Sequence, residues 1–158
     1  MANTQAMCTS FMGELMTATH NFGTAPTRGT SATDTFKAAL YLTTATVNAS
    51  TTAYSASDEV SGTNYVAGGV TVTAATPPTA TNSSATAGVA FFTPSASITY
   101  TTVTLSTAFD TVLLYNSTQS NKAVSVHTFG SQTITAGTFT LTMPTNNTST
   151  ALLRLSTT

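Results

Sequence analysis

Apolar side chains recur at three- and four-residue spacing near the start of the chain, where Met7, Cys8, Phe11, Met12, Leu15 and Met16 fall on one stripe of an α-helix. The pattern predicts an N-terminal helix within residues 1–22, capped by Asn3 or Thr4 and ending near His20, with Asn21 and Gly23 supplying the helix stop. Gly13 weakens such a helix by about 1 kcal/mol relative to alanine, so the stripe needs a surface to dock on, in the same chain or in a neighbouring subunit. Residues 24–34 read as a loop. The period then changes to two, with Phe36, Ala38, Leu40 and Leu42 alternating with Lys37, Ala39 and Tyr41 along a first strand.

The stretch 43–69 has few large apolar residues and carries Asn48, Asp58, Glu59, Gly62, Gly68 and Gly69, so it reads as an excursion with at most short strands. Val70 and Val72 mark the next strand, and Pro77, Pro78, Asn82, Ser83 and Ser84 a loop. Strand-like runs then follow closely over 89–93, 97–105, 109–115, 123–129, 132–136, 138–143 and 151–155. The apolar phase slips between Tyr100 and Val103, as an inserted residue or β-bulge would make it. Ala136-Gly137 reads as a tight hairpin turn, and 116–121 as a longer polar connection. About eight or nine short strands and a single helix predict a mainly β chain. The expected fold is one domain over 1–158, an antiparallel, jelly-roll-like β-sandwich spanning 35–156 with the helix at its N-terminus.

Composition sharpens this picture through what is scarce. Charged residues make up 6% of the 158 residues and the net charge is −1, against about 25% charged in an average soluble protein. Threonine fills the gap at roughly a quarter of the chain, which suits a half-exposed pleated surface. Four cations, Arg28, Lys37, Lys122 and Arg154, cannot neutralise a run of phosphates, so no nucleic-acid partner is expected. No apolar run reaches the length of a membrane span, and the first residues lack the charged and apolar regions of a secretion signal. Cys8 is the lone cysteine and excludes an internal disulfide framework.

The same scarcity bears on catalysis. A hydrolytic triad would need His20 or His127 beside a serine and an acid, and nothing in the sequence draws them together. His127 alternates with Val126 and Thr128 in a strand and reads as an outward or hydrogen-bonded strand residue; His20 reads as a partner of the helix dipole. Asp58-Glu59 is an adjacent acidic pair, but without Asp-x-Asp-x-Asp spacing it reads as a solvated turn, and no metal is expected. Cys8 sits on the apolar stripe and reads as an inert buried thiol. Phosphate-binding glycine loops and zinc-ligand spacings are absent from the sequence, so no cofactor is expected and the chain reads as a non-enzyme.

Several segments, SFMGEL, DTFKAALY, STTAYSASDEVSGTNYVAGG, LLYN and KAVSVHTFGSQTITAGTFTLTMP, together resemble a family of small virion structural proteins of tailed bacteriophages, particularly those of cyanobacteria and other aquatic hosts. They run from Ser10 to Pro144. The resemblance implies a structural component of the particle, synthesised in the host cytoplasm and placed on the phage head or the tail. A capsid decoration or cement protein is the role that low charge suits best, since neutral copies pack closely without mutual repulsion. Its partners would then be the major capsid protein and neighbouring copies of itself, with a homotrimer as one arrangement. The expected contact elements are the helix stripe (Met7, Phe11, Met12, Leu15, Met16) and the excursion with Tyr54 and Tyr65. Two alternatives remain open at this point: a tail or fibre adaptor, and a receptor- or carbohydrate-binding module with Tyr54 and Tyr65 as its aromatics.

Overall fold

The computed structural model describes residues 3–16, 19–22, 34–73, 78–81 and 88–156. The expected helix stop at Gly23, most of the loop 24–34, the loop residues Pro77 and 82–84, and the side chain of Met16 lie outside that description. Within it the chain is mainly β, with two antiparallel sheets and one short helix, α1 (Thr9–Met16). The larger sheet runs β1 (Ala6–Met7), β7 (Lys122–Leu141), β6 (Ile98–Asn116), β2 (Phe36–Leu42), β3 (Val70–Val72) in spatial order; the smaller one runs β4 (Thr79–Ala80), β5 (Val89–Phe92), β8 (Leu153–Ser156).

The N-terminal helix is shorter than its apolar spacing predicts. Ala6 and Met7 pair instead with Val126 and Ser125 as β1, and the Cys8 amide donates to the Val124 carbonyl at 3.0 Å. An open ladder on β7 satisfies these backbone groups, and tertiary pairing overrides helical spacing. Nor does Asn3 cap the helix. Its amide nitrogen donates to Leu42 O at 3.1 Å and Asp110 Oδ1 at 2.8 Å, while its oxygen accepts from Val47 N at 2.9 Å, pinning the N-terminus across the sheet. The stripe divides as a result: Cys8 and Phe11 are buried, Leu15 is half-buried and Met12 is 47% exposed.

Runs that read as separate strands merge into two long ones joined by the 117–121 turn. The phase slip between Tyr100 and Val103 is a bulge: Tyr100 pairs with Phe139 but Val103 with Gly137, and Thr102 takes φ 53°. The hairpin expected at Ala136-Gly137 is also a bulge, which corrects the sequence reading. Val103 pairs with Gly137 and Leu105 with Ile134, so the chain continues in the same direction past Ala136 at φ 47°. Its amide donates to Thr104 Oγ1 at 3.0 Å. A left-handed residue serves a turn and a bulge equally well, and the neighbouring strand decides between them.

Strand β2 is where the excursion reveals its role. Alternation predicts one covered face, yet Ala38, Ala39, Leu40 and Tyr41 are all buried, because 43–69 folds over the second face. Two glycines permit the approach. A Cβ on Gly69, itself at φ 72°, would lie 1.7 Å from the Ala38 carbonyl oxygen, and one on Gly62 would lie 2.0 Å from that of Thr104. The core of the large sheet joins the smaller one through aromatic rings: Phe22 stacks on Phe36 of β2 at 4.2 Å and meets Phe92 of β5 at 4.9 Å.

Candidate functional site

The chemistry-bearing residues gather in three places, each organised by its few charges. Of the five acids in the chain, four accept hydrogen bonds from side chains elsewhere in the chain. Glu59 organises the first cluster. Although its neighbour Asp58 is an exposed turn residue at φ 59°, Glu59 is half-buried and accepts from Tyr54 Oη at 2.6 Å, Tyr65 Oη at 2.7 Å and the Gly68 amide at 2.8 Å. The solvated-turn reading therefore holds for Asp58 and fails for Glu59. All five tyrosines take part in this seam. Tyr41 donates to Ser55 O at 2.6 Å, Tyr100 to Ala38 O at 2.8 Å and Tyr115 to Gly68 O at 2.7 Å, while Tyr65 also accepts from the Leu40 amide at 3.0 Å. Tyr54 stacks on Tyr115 at 4.8 Å. Burial, and then the Glu59 carboxylate, push the Tyr65 and Tyr54 hydroxyls well above the ordinary phenol range, so they act as permanent donors.

A second cluster joins the end of the β6–β7 hairpin to α1. Lys122 Nζ pairs with Glu14 Oε1 at 2.5 Å, and His20 Nε2 lies 2.7 Å from Glu14 Oε2. His20 Nδ1 lies 3.1 Å from Asn116 Nδ2, which also donates to Asp34 Oδ2 at 2.8 Å. The network sets the tautomer. The Asn116 oxygen accepts from the Thr118 and Gln119 amides, so its nitrogen must face His20 and Nδ1 must accept, leaving Nε2–H to donate to Glu14. Burial lowers the His20 pKa and the Glu14 carboxylate only partly restores it. Burial opposes ionisation of Glu14 too, but the Lys122 and His20 hydrogen bonds outweigh it and hold the carboxyl below its usual range. His20 is thus a neutral, buried link between elements and not the dipole partner expected from its sequence position.

The third place surrounds His127, on the face of β6–β7 opposite the tyrosine seam. Its Nε2 lies 2.9 Å from Ser125 Oγ. The ring lines a cleft of about 190 Å³ whose walls include Val112, Leu114, Leu141, Met143 and Leu152. Desolvation by these walls drops the His127 pKa to about 4. Ser125 and His127 lack an acid to complete a triad among the described residues, and Ser125 is itself buried.

The residues singled out for partner contact separate in space. Met7, Phe11 and Leu15 do come together, on an apolar groove of about 80 Å³ that α1 shares with Phe22, Phe91 and Leu155. Met12 projects away from it into solvent. Tyr54 and Tyr65 turn their hydroxyls inward onto Glu59. Cys8 is fully buried, its thiol pushed up to about 11 by burial and by Glu14. No cluster of three or more metal-ligating side chains occurs among the described residues.

Sequence reasoning missed Glu59, Asp34, Asp110 and Asn116 as organising groups. A usable signal was present: in a chain this poor in charge, an acid close to several tyrosines has a structural task to perform. No known protein family, curated protein or solved structure matches the chain.

Proposed function

We propose that this chain is a bacteriophage virion structural protein, a capsid decoration or cement protein that binds the outer surface of the major capsid shell and stabilises it. The scaffold in this reading is a sandwich of jelly-roll type, with the five- and three-stranded sheets as its layers. The supporting observation is where the charges sit. Glu14, Asp34, Glu59 and Asp110 are engaged by internal donors, and Lys122 is paired with Glu14, so the described charges left to face outward are Asp58, Arg154 and the half-buried Lys37. Among the described residues, the outer surface consequently carries few unpaired charges. Many copies of such a surface can lie side by side without repulsion, and weak contacts repeated over a symmetric shell sum to strong attachment. The groove at Met7, Phe11 and Leu15 is the apolar contact element of this reading.

Copy number in intact particles tests the proposal. Quantitative mass spectrometry of purified virions together with particle imaging should find on the order of hundreds of copies distributed over the head. About a dozen copies at one vertex would overturn it in favour of a tail component.

A further inference from the structure

The cleft beside His127 has the composition of a ligand site. Its walls are apolar apart from Thr142 and the imidazole, and His127 sits opposite Val112 in the β6–β7 ladder, with Leu114 and Leu152 also in the lining. One ring nitrogen meets Ser125 Oγ; the other, Nδ1, has no hydrogen-bond partner among the described residues. His127 is a polar side chain in the lining of an otherwise mostly apolar recess, and a polar group so placed is how small-molecule pockets fix the orientation of a greasy ligand.

We propose that this cleft binds a small, mostly apolar molecule consisting of an aromatic ring with one hydroxyl, the ring held by Leu114, Leu141, Met143 and Leu152 and the hydroxyl hydrogen-bonded to His127 Nδ1. Size supports a ring: an apolar cavity of about 150 Å³ accommodates benzene, and this one, at about 190 Å³, leaves room for one or two further heavy atoms. The Met143 thioether suits a ring edge. The site shares no residue with the groove at Met7, Phe11 and Leu15, and it stands whether or not the chain decorates a shell.

The test is an NMR titration of the full chain with p-cresol, and with toluene as the same ring lacking the hydroxyl. Saturable shifts of the Leu114, Leu141, Met143 and Leu152 methyls are expected for p-cresol with a dissociation constant of about 1 mM, and toluene should bind roughly fivefold more weakly. In His127→Phe the preference for p-cresol should vanish while toluene still binds. No saturable shift of those methyls in the wild-type chain up to about 10 mM would overturn the proposal. So would equal affinity for the two probes, or a preference that survives His127→Phe.

Discussion

Replacing His127 with phenylalanine isolates the cost of holding an imidazole against apolar walls. The ring titrates near 6.5 in an unfolded chain and at about 4 in the fold. A depressed pKa means that the unfolded state binds the proton more readily, so the stability present above pH 6.5 is lost as pH falls toward 4. At about 1.4 kcal/mol per unit, the wild-type chain should lose about 3 kcal/mol through this one group between pH 7.5 and pH 4, trimmed toward about 2 by the residual exposure of the ring. Among the described residues, no charged group lines the cleft to offset the effect. Phenylalanine cannot titrate, although it leaves Ser125 Oγ unpartnered at a pH-independent cost of about 1 kcal/mol. Urea denaturation of both proteins across this range should therefore show the variant slightly weaker at neutral pH and gaining about 2–3 kcal/mol on the wild type toward pH 4. His20 and Glu14 contribute equally to both proteins, and the difference cancels them. A wild-type-to-variant difference that stays constant with pH would refute the assignment of His127 as a desolvated, neutral histidine.

Other perturbations test the remaining clusters. Glu59→Gln places an amide donor where three donors already converge, and should cost about 2–3 kcal/mol by chemical denaturation; a loss below about 0.5 kcal/mol would show that the tyrosine seam does not depend on the carboxylate. Protonating His20 adds a donor at Nδ1 facing the Asn116 amide nitrogen, so the shift of its pKa below the ordinary value implies stability lost as pH falls below about 6.5. A direct NMR titration should find the His20 pKa depressed, and an elevated one would contradict Nδ1 as the acceptor of the Asn116 amide. Gly69→Ala should destabilise by about 3 kcal/mol or prevent folding, whereas Gly13→Ala, with open space around its Cβ, should stabilise the helix by about 0.5–1 kcal/mol. Thermal melts separate the two outcomes. The Cys8 thiol should resist an aromatic disulfide reagent in the native state and react on unfolding; rapid native labelling would show that the helix opens easily.

How much of this was legible in the chain differs from one element to the next. Phe36 to Leu42 announces a strand by period alone, and the phase slip at Tyr100 and Val103 announces a bulge, because both are local consequences of side-chain alternation. Met7 shows the limit: its spacing to Phe11 is helical, but an open ladder on β7 claimed its backbone. Ala136 shows the same limit for turns, since a left-handed residue reverses the chain only if no partner strand continues past it.

The polar clusters are only partly a matter of local pattern. Glu59 and Tyr54 are close in sequence, but Leu40, Tyr100 and Tyr115 enter their seam from other strands, and Asn116 reaches Asp34 across 82 positions. The sequence by itself determined a mainly β chain with scarce charge and a buried thiol, because strand period, composition and apolar neighbours act over a few residues. Only the tertiary structure decided that those scarce charges would organise the interior. Burying a carboxylate requires several donors, and for Glu14, Asp34 and Asp110 donors arrive from positions 82–108 residues away, which only the tertiary fold brings close.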